Sequence, residues 1–428
     1  MITPKTAPGF NEYLPAEQRM FDHLVSLIRT MYERHGFTPL ETPALELAQV
    51  LLAKEGGETA KQVYRFMKGD TDLALRFDLT VPLARYVAEH YHDLAFPFRR
   101  YQIQEAWRAE KAQAGRYRQF YQCDIDILGN IGTAADADIL LTTAATFKAL
   151  GLGRSVMHIS NRKIFVGFLA SLKLSEQSVE ILRVIDRMAK QSADKTKKDL
   201  SSLGLPAAAI TQIISIVSAQ GLESLRSLAV SNSLFQEGLA ELTELDALLR
   251  AGGLTAEEYV IDLGIVRGLD YYTGMVFETL LVDKPEAGSM AGGGRYDNLV
   301  GHYRKEPVAG VGASIGISRL FNALKDSLKK GPSTPAQALI VVFSSELLPY
   351  CFKTASTLRA HDINVMIYPG SDKPGKQMTY ANKIGVPFVV LCGEEEAKNG
   401  TLTIKNMTSG DQQTMKMKEA VTYLVKSL

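Results

Sequence analysis

The chain has few cysteines, and they show no pairing pattern. Only Cys123, Cys351 and Cys392 occur in 428 residues, and none is spaced as Cys-x-x-Cys. Neither a disulfide framework nor a zinc knuckle is therefore indicated, and a reducing cytoplasm is the compartment that we expect.

Features of a secreted or membrane protein are also missing. The segment that begins at Met1 lacks the basic stretch, apolar run and small-residue cleavage site of a secretory signal. No uninterrupted apolar run approaches the roughly 20 residues that a helix needs to cross a bilayer. We expect no membrane partner.

The charge balance shows no excess of either sign. The chain has 48 Lys and Arg against 47 Asp and Glu, which gives a net charge of +1. A protein that binds nucleic acid through charge alone is strongly basic, so an RNA site here must be local. The densest basic stretch runs from Phe98 to Arg118. The length predicts roughly two to four domains.

Hydrophobic periodicity predicts a helix and three strands in the first part of the chain. Apolar residues at spacings of three and four predict an amphipathic helix from Pro15 to Gly36, and the two prolines of Phe37–Pro43 indicate an edge strand. Strict alternation over Leu73–Thr80 predicts a strand. Tyr101–Arg108 and Arg116–Leu128 alternate as well, and we interpret them as a long antiparallel hairpin.

These strands are predicted to present polar side chains on a common working face. The strand at 73–80 offers Arg76, Asp78 and Thr80. The hairpin offers Gln102, Gln104 and Arg108 from its first strand, and Arg116, Arg118, Phe120, Gln122, Asp124 and Asp126 from its second.

Changes of composition mark the remaining regions. Residues 161–252 are rich in Leu, Ala, Ser and Lys at helical spacing, which predicts a helical insertion. Residues 329–336 are predicted to form a linker, and 337–428 alternate short apolar runs with helical segments. The predicted fold is an α+β domain with an antiparallel sheet at 1–160 and 253–328, the insertion, and a C-terminal α/β domain with a largely parallel sheet.

Polar residues on buried faces are the first candidates for chemistry. Asp78 with Thr80, and Gln122 with Asp126, have the oxygens that suit a cationic amine or an imidazole N–H. A solvated outer face of the sheet explains the same alternation and is the more frequent case.

Arginines and glycines form a second group of candidates. Arg108, Glu110, Arg116 and Arg118 suit phosphates and an adenine amino group, or are surface charges. The run Gly310–Arg319 lets a flat base lie against the backbone, or is a glycine-rich packed strand.

A third segment combines arginine, tyrosine and glycine. Arg267–Gly274, followed by Gly292–Gly294, has residues that can close over a small polar ligand. The triple glycine is equally explained by a tight hairpin turn, and it lacks the strand-to-helix context of a nucleotide-binding fingerprint.

In this order the segments resemble a class II aminoacyl-tRNA synthetase. Phe37–Pro43 is similar to the proline-bearing dimer motif of that class, Arg108–Gly129 to its second motif and Gly310–Arg319 to its third. Gly115–Asp126 and Arg267–Gly274 resemble signatures peculiar to the histidyl-tRNA synthetase family. The resemblance covers nearly the whole chain, and its C-terminal domain resembles the family's anticodon-binding domain.

The resemblance implies an activity and its partners. A member of this family activates L-histidine with ATP to histidyl-adenylate and transfers it to tRNA(His), with Mg²⁺ accompanying ATP and a homodimer as the assembly. Residues 1–160 and 253–328 would then form the catalytic domain, and 337–428 the anticodon-binding domain.

The resemblance also implies roles for individual residues. Histidine would be bound by Asp78, Thr80, Arg108, Gln122, Asp126, Arg267, Tyr271 and Tyr272, and ATP by Arg108, Glu110, Arg116, Phe120 and Arg319. Arg267 and Arg108 would be the catalytic residues, because both would grip the α-phosphate. No protein nucleophile is implied.

Three positions depart from the pattern common in bacterial members. Asp78-Leu79-Thr80 stands in place of Glu-Gly-Thr, Ala112 in place of a loop proline and Ser318 in place of an acid. These departures bear on how the acceptor end of the tRNA is read.

Two alternative functions remain at this point. One is a non-catalytic regulatory paralogue that acts with ATP phosphoribosyltransferase in histidine biosynthesis. Such paralogues tend to lose the Arg267 signature and the anticodon-binding domain, and this chain retains both. The other is a generic nucleotide-binding α/β protein, which explains the glycines but not the histidine-type signatures.

Overall fold

The computed structural model describes residues 1–53, 61–111, 115–129, 131–188, 192–265, 272–328 and 331–428. The chain divides into two compact units. The first comprises Met1–Asn11 and Leu24–Asp326, and the second comprises Glu12–His23 and Ser327–Leu428.

The strands of the first unit form one large sheet and one small sheet. In chain order they are β1 (Thr38–Pro39), β2 (Leu45–Leu47), β3 (Arg65–Lys68), β4 (Thr71–Leu75), β5 (Phe98–Trp107), β6 (Gln119–Gly129), β7 (Ser155–Asn161), β8 (Tyr259–Ile261), β9 (Met275–Leu281), β10 (Ser289–Arg295) and β11 (Ala309–Ile315). The large sheet has the order β1-β5-β6-β11-β10-β9-β7-β8, and the small one β2-β4-β3.

The large sheet is antiparallel except at its edges. Among the described residues, β1 runs parallel to β5 and β8 parallel to β7, whereas the inner pairs are antiparallel. The predicted antiparallel sheet is thus confirmed, and β1 is the edge strand that its proline predicted.

In chain order, the helices up to Leu324 begin with α1 (Pro15–Arg34), α2 (Ala48–Leu51), α3 (Thr80–Glu89) and α4 (Thr133–Leu150). Next come α5 (Arg162–Ser171), α6 (Ser178–Asp186), α7 (Ala193–Ser201), α8 (Ala207–Val217), α9 (Gly221–Ser227) and α10 (Ser233–Ala251), and then α11 (Ile317–Leu324). The predicted helical character of residues 161–252 is confirmed where the structure describes them. This stretch belongs to the first compact unit.

The predicted hairpin is present as β5 and β6. Its register places Arg100 opposite Asp126, Gln102 opposite Asp124 and Gln104 opposite Gln122. The hairpin is shifted relative to the prediction, because β5 begins at Phe98 and β6 begins only at Gln119. The arginines near its turn therefore lie beyond the ends of the paired strands.

The prediction of a strand over 73–80 is wrong in its second half. β4 ends at Leu75, and α3 begins at Thr80. The predicted polar face is also the more deeply buried one, with Arg76 at 3% exposure and Asp78 at 8%. Arg76 is accommodated there because its guanidinium donates to the carbonyl oxygens of Thr42 and Glu105.

The second unit contains its own five-stranded sheet. Its strands are β12 (Ala338–Val342), β13 (Val365–Ile367), β14 (Phe388–Cys392), β15 (Thr401–Asn406) and β16 (Gln412–Lys416), in the order β13-β12-β14-β15-β16. Its helices are α12 (Leu348–Arg359), α13 (Pro374–Ile384), α14 (Glu394–Asn399) and α15 (Met417–Ser427). β12 is buried along its whole length.

The C-terminal sheet is mixed rather than largely parallel. β12 runs parallel to β13 and β14, but β15 is antiparallel to both of its neighbours. The residues between Asn406 and Gln412 are too few for the crossover that a parallel pair needs, so β15 and β16 form a hairpin. In neither unit does a described helix reach the length and apolarity that a bilayer crossing requires.

Candidate active site

Two adjoining cavities lie against the large sheet of the first unit. One has a volume of about 420 Å³ and the other about 310 Å³. Side chains and backbone from β6, β10 and β11 line both, and the residues common to the two are Arg108, Gln122, Tyr272, Gly292, Gly293 and Ser314. The larger cavity contains Arg116 and Arg319, and we name it the arginine compartment. The smaller contains Asp78, Asp124 and Asp126, and we name it the carboxylate compartment.

Asp126 is held in place from two sides in the carboxylate compartment. Its carboxylate lies 2.6 Å from Nη2 of the fully buried Arg100. The Tyr296 hydroxyl donates to Asp126 Oδ1 at 2.5 Å. Burial raises the pKa of the Asp126 carboxyl, while the Arg100 charge and the Tyr296 hydrogen bond oppose the rise. The orientation of this carboxylate is therefore set before a ligand arrives.

Asp78 reaches the same compartment from the start of α3. The backbone N–H of Val81 donates to Asp78 Oδ1 at 3.0 Å, as at a capped helix N-terminus. Burial raises the pKa of the Asp78 carboxyl, and the bond from Val81 and the nearby Arg108 counteract this. Thr80, the first residue of α3, lines the cavity beside it.

Gln122 and Asp124 line the same compartment from β6. The Gln122 side-chain amide donates to Ser314 Oγ at 2.7 Å. Asp124 is 2% exposed, and burial raises its pKa to about 7 even though Arg100 lowers it. A carboxylate with this pKa exchanges its proton near neutral pH.

Arg108 lines both compartments and is held in place where they meet. Its Nε donates to the Phe77 carbonyl oxygen at 3.0 Å, and its guanidinium carbon lies 5.0 Å from the centre of the Phe120 ring. This stacking leaves the remaining guanidinium N–H groups available for an anionic ligand.

The rest of the arginine compartment is more open to solvent. Arg116, with a half-exposed side chain, lies 3.7 Å from Glu110 across the mouth. Arg319 enters from the start of α11. The neighbouring Ser318 is buried and accepts the Tyr121 backbone N–H at 2.8 Å, which joins α11 to β6. The arrangement can hold a polyanion through side chains that approach from several directions.

The glycines of β10 and β11 provide room for neighbouring side chains. A Cβ at Gly312 would collide with the Asp126 carboxylate, and one at Gly310 with the Tyr296 ring. The packed-strand alternative therefore describes both positions. Gly292–Gly294 lie inside β10, so the alternative of a tight turn is wrong.

Among the described residues, those predicted to bind histidine line one compartment, and those predicted to bind ATP line the other. The predicted histidine-binding residues that it describes all line the carboxylate compartment: Asp78, Thr80, Arg108, Gln122, Asp126 and Tyr272. The predicted ATP-binding residues all line the arginine compartment: Arg108, Glu110, Arg116, Phe120 and Arg319. Arg267, Tyr271 and Ala112 lie outside the described residues. Arg118 lines neither cavity, and its Nε donates to the Glu110 carbonyl oxygen.

Arg100, Tyr296 and the buried state of Asp124 were missed from the sequence. The role of Arg100 could have been inferred from the sequence, because the hairpin register that pairs Gln104 with Gln122 also pairs Arg100 with Asp126. The role of Tyr296 could not, because Tyr296 and Asp126 are 170 residues apart in the chain.

Comparisons with known proteins agree over both units. Residues 9–320 match the family model described as Histidyl-tRNA synthetase, and residues 337–427 match that of an anticodon binding domain. The chain is 44% identical to the histidine–tRNA ligase of Clostridium tetani, with 98% of each chain covered. It is 43% identical to that of Stenotrophomonas maltophilia, with 96% of this chain and 95% of the relative covered.

Solved structures resemble the chain over its whole length. The crystal structure of histidyl-tRNA synthetase from Nostoc sp. PCC 7120 has a TM-score of 0.91 at 36% identity and covers 100% of both chains. An ATP phosphoribosyltransferase regulatory subunit/histidyl-tRNA synthetase from Bacillus halodurans has a TM-score of 0.77 at 21% identity, with 91% of this chain and 99% of that chain covered. The second likeness concerns the fold alone.

Proposed function

Because the chain belongs to the histidyl-tRNA synthetase family, we propose that it is a histidine–tRNA ligase, which forms histidyl-adenylate from L-histidine and ATP and transfers the histidyl group to the 3′ end of tRNA(His). The division of the site into two compartments carries this proposal. Buried carboxylates suit a cationic amino acid, and arginines suit a polyphosphate. The two compartments meet at Arg108, where the reacting atoms of the two substrates would come together.

The carboxylate compartment takes histidine in this proposal. Asp78, Thr80 and Gln122 bind the α-amino group, while Asp126 and Tyr272, with Tyr271 beside it, read the imidazole. An imidazole ring needs a partner at each nitrogen, and a carboxylate and a phenol can supply the two. The fixed position of Asp126 between Arg100 and Tyr296 supports this role, because an acceptor that cannot turn away selects for ring geometry.

The arginine compartment takes ATP. Phe120 and Glu110 bind the adenine, through stacking and through an acceptor for its amino group. Arg116 and Arg319 bind the remaining phosphates, and Arg108 grips the α-phosphate. The stacking of Arg108 on Phe120 supports the scheme, since it links the adenine side to the reaction centre.

The chemistry is positioning and charge stabilisation. A carboxylate oxygen of histidine attacks the α-phosphorus of ATP in line, an O–P bond forms, and the bond to pyrophosphate breaks with its electrons leaving on pyrophosphate. Arg108 and Arg267 stabilise the negative charge that develops on the phosphoryl oxygens. A hydroxyl at the 3′ end of the tRNA then attacks the carbonyl carbon, and AMP leaves.

Mg²⁺ is proposed to accompany ATP. No group of three or more potential ligands occurs among the His, Cys, Asp and Glu residues that the structure describes. Glu278, which is 6% exposed, lines the arginine compartment. Mg²⁺ is usually held by one or two carboxylates together with substrate phosphates, so Glu278 fits as its protein ligand. The ion would neutralise phosphate charge during attack.

A homodimer is proposed as the assembly. The small sheet of β2, β4 and β3 exposes Leu45, Leu47 and Phe66, each by 43% or more, and the register of the strands places all three on one face. Exposed apolar groups clustered in this way are typical of an interaction surface. Sedimentation of the intact protein at twice the 47.0 kDa chain mass is the expected result, and a monomer would contradict it.

The location of the reaction is proposed to be the cytoplasm. All three cysteines are buried and free, as a reducing compartment favours.

Histidine-dependent exchange of labelled pyrophosphate into ATP tests the activation step. Each of the twenty amino acids is supplied in turn, without tRNA, and exchange with histidine alone is the expected result. A matched pair of variants, Asp126→Asn and Arg118→Gln, distinguishes the site from its surroundings. The first should lose exchange and the second should keep it. Histidine binding without exchange would point instead to the regulatory paralogue.

A further inference from the structure

Three buried acceptor atoms in the carboxylate compartment have no hydrogen-bond donor among the described residues: Asp126 Oδ2, Asp124 Oδ1 and Gln122 Oε1. Asp126 Oδ2 lies 2.6 Å from Arg100 Nη2 in an ion pair, so the unused acceptors are Asp124 Oδ1 and Gln122 Oε1. The two residues are two positions apart on β6, so their side chains lie on the same face. Buried polar atoms are almost always satisfied, and an unsatisfied one costs free energy. Adjacent unused acceptors therefore indicate a ligand that brings several N–H donors.

The neighbours of Asp124 are already engaged elsewhere. Gln102, opposite it on β5, donates its side-chain amide to Thr42 Oγ1 at 2.9 Å and to Gln104 Oε1 at 2.6 Å. Ser314, opposite it on β11, hydrogen-bonds to Asp124 and accepts from Gln122 at 2.7 Å. Neither neighbour satisfies Oδ1 of Asp124.

The charges facing Asp124 leave one carboxylate in excess. Asp126 on the same strand and Asp78 at the start of α3 both disfavour its ionised form, and Arg100 on β5 favours it. Arg100, however, lies 2.6 Å from Asp126. The other cation next to this group is Arg108, beside Asp78. Three carboxylates thus share two described arginines, and a cationic ligand would supply the third positive charge.

We propose that Asp124, acting with Gln122 Oε1, binds the α-ammonium group of the substrate and makes the compartment selective for a protonated amine. The inference rests on the proposed function, since it takes histidine as the ligand. An ammonium group has three N–H donors, which Asp124 Oδ1, Gln122 Oε1 and Asp78 can accept. Asp124 would then carry the counter-charge, because Asp78 also serves the helix terminus through its bond with Val81.

The imidazole is the less suitable partner for Asp124. Asp126 lies on the same face one pair further along β6 and is oriented by Arg100 and Tyr296. Along this face of β6, Asp124 lies between Asp126 and Gln122. Two free acceptors side by side match an ammonium group better than the single N–H of one ring nitrogen.

Calorimetric titration with three ligands separates the amine from the ring. Histidine has the amine, ring and carboxylate; histidinol lacks the carboxylate; 3-(imidazol-4-yl)propionate lacks the amine. For Asp124→Asn, we expect affinity for histidine and histidinol to fall by about 10- to 100-fold, as for the loss of a buried charge-assisted hydrogen bond. Affinity for the propionate should stay within about twofold of the wild-type value.

Asp126→Asn provides the contrast, because a ring-reading residue should weaken all three ligands. Circular dichroism checks the fold of each variant, and Asp124→Ser replaces Asp124→Asn in the same comparison if the latter does not fold. The proposal is overturned if the Asp124 variant binds histidine with wild-type affinity. It is also overturned if the affinity for the propionate falls as much as the affinity for histidine. Failure of the wild-type protein to bind histidine would instead contradict the proposed function.

Discussion

The two compartments of the active site are built from different parts of the fold. The carboxylate compartment consists of strand interiors and the start of α3, and its three aspartates are at most 8% exposed. The arginine compartment uses the ends of the β5–β6 hairpin and the start of α11, where the Arg116 side chain remains 50% exposed. Both bind charged groups in the proposed function, but the first buries all three of its aspartates, whereas the second leaves Arg116 half exposed.

This difference predicts different consequences of substitution. Removing one partner from a buried ion pair leaves an uncompensated charge, so changes in the carboxylate compartment should affect stability. Exposed ion pairs contribute little to stability, so changes at the mouth of the arginine compartment should affect ATP binding alone. The chain has a single tryptophan, Trp107 at the end of β5, and its fluorescence reports unfolding of the first unit.

The largest effect is expected from Arg100→Met. Asp126 would lose the guanidinium 2.6 Å away while remaining buried, and we expect the free energy of unfolding to fall by about 3–5 kcal/mol. Urea unfolding followed by Trp107 fluorescence measures this. Arg116→Met is the matched control and should change stability by less than about 0.5 kcal/mol. If the two variants had the same free energy of unfolding, the two compartments would not differ in how they contribute to stability.

A pH-dependent effect on stability is expected from Asp124. Burial raises its folded-state pKa to about 7, above the value of about 3.9 for a free side chain. The folded state thus binds more protons between these pH values, and stability falls as pH rises from about 4 to about 7.

Asp124→Asn removes this pH dependence. Without histidine, the stability of the variant relative to wild type should rise by about 3 kcal/mol between pH 5 and pH 8. Urea unfolding at the two pH values measures the difference. A constant difference across this range would show that Asp124 does not titrate there.

A smaller loss is expected from Gly312→Ala. The new Cβ would collide with the Asp126 carboxylate and displace it from Arg100 and Tyr296. We expect a loss of about 1–3 kcal/mol in stability, as for other overpacked sites, and weaker histidine binding. Gly301→Ala is the control, because a Cβ there meets nothing within 4 Å. Normal histidine affinity in Gly312→Ala would contradict the need for a fixed Asp126.

The smallest effect is expected from Arg116→Met. The substitution removes one cation of the proposed ATP site from a position that is half open to water. We expect the KM for ATP in pyrophosphate exchange to rise about tenfold, which corresponds to about 1.4 kcal/mol, with histidine affinity unchanged. A comparable loss of histidine affinity would mean that the two compartments are not independent.

Several elements were predictable because their signal is local. Helix α1 and strands β5 and β6 follow from apolar spacing, which reflects the side of each element that faces the core. The same reasoning failed over residues 73–80. There the polar face is the more deeply buried one, and Asp78 bonds to the first turn of a helix.

The site itself was predictable to the extent that the family motifs carry it. The motifs named Asp78, Gln122 and Asp126 but gave no account of Arg100, which is buried without exposure to solvent. An arginine at an alternating position is normally expected to face water. Its burial here depends on Asp126, which the strand pairing brings opposite to it.

The sequence by itself determined helix α1, the β5–β6 hairpin and the motifs that indicate the family, and it predicted which polar residues group together. Only the tertiary structure decided which of those residues have hydrogen-bond partners. Tyr296 bonds to Asp126 and Ser314 to Gln122 across strands far apart in the chain, while Asp124 Oδ1 has no donor in the part of the chain that the structure describes. Such partners are set by the register of long-range strand pairs, because the residues that meet there share no local sequence pattern.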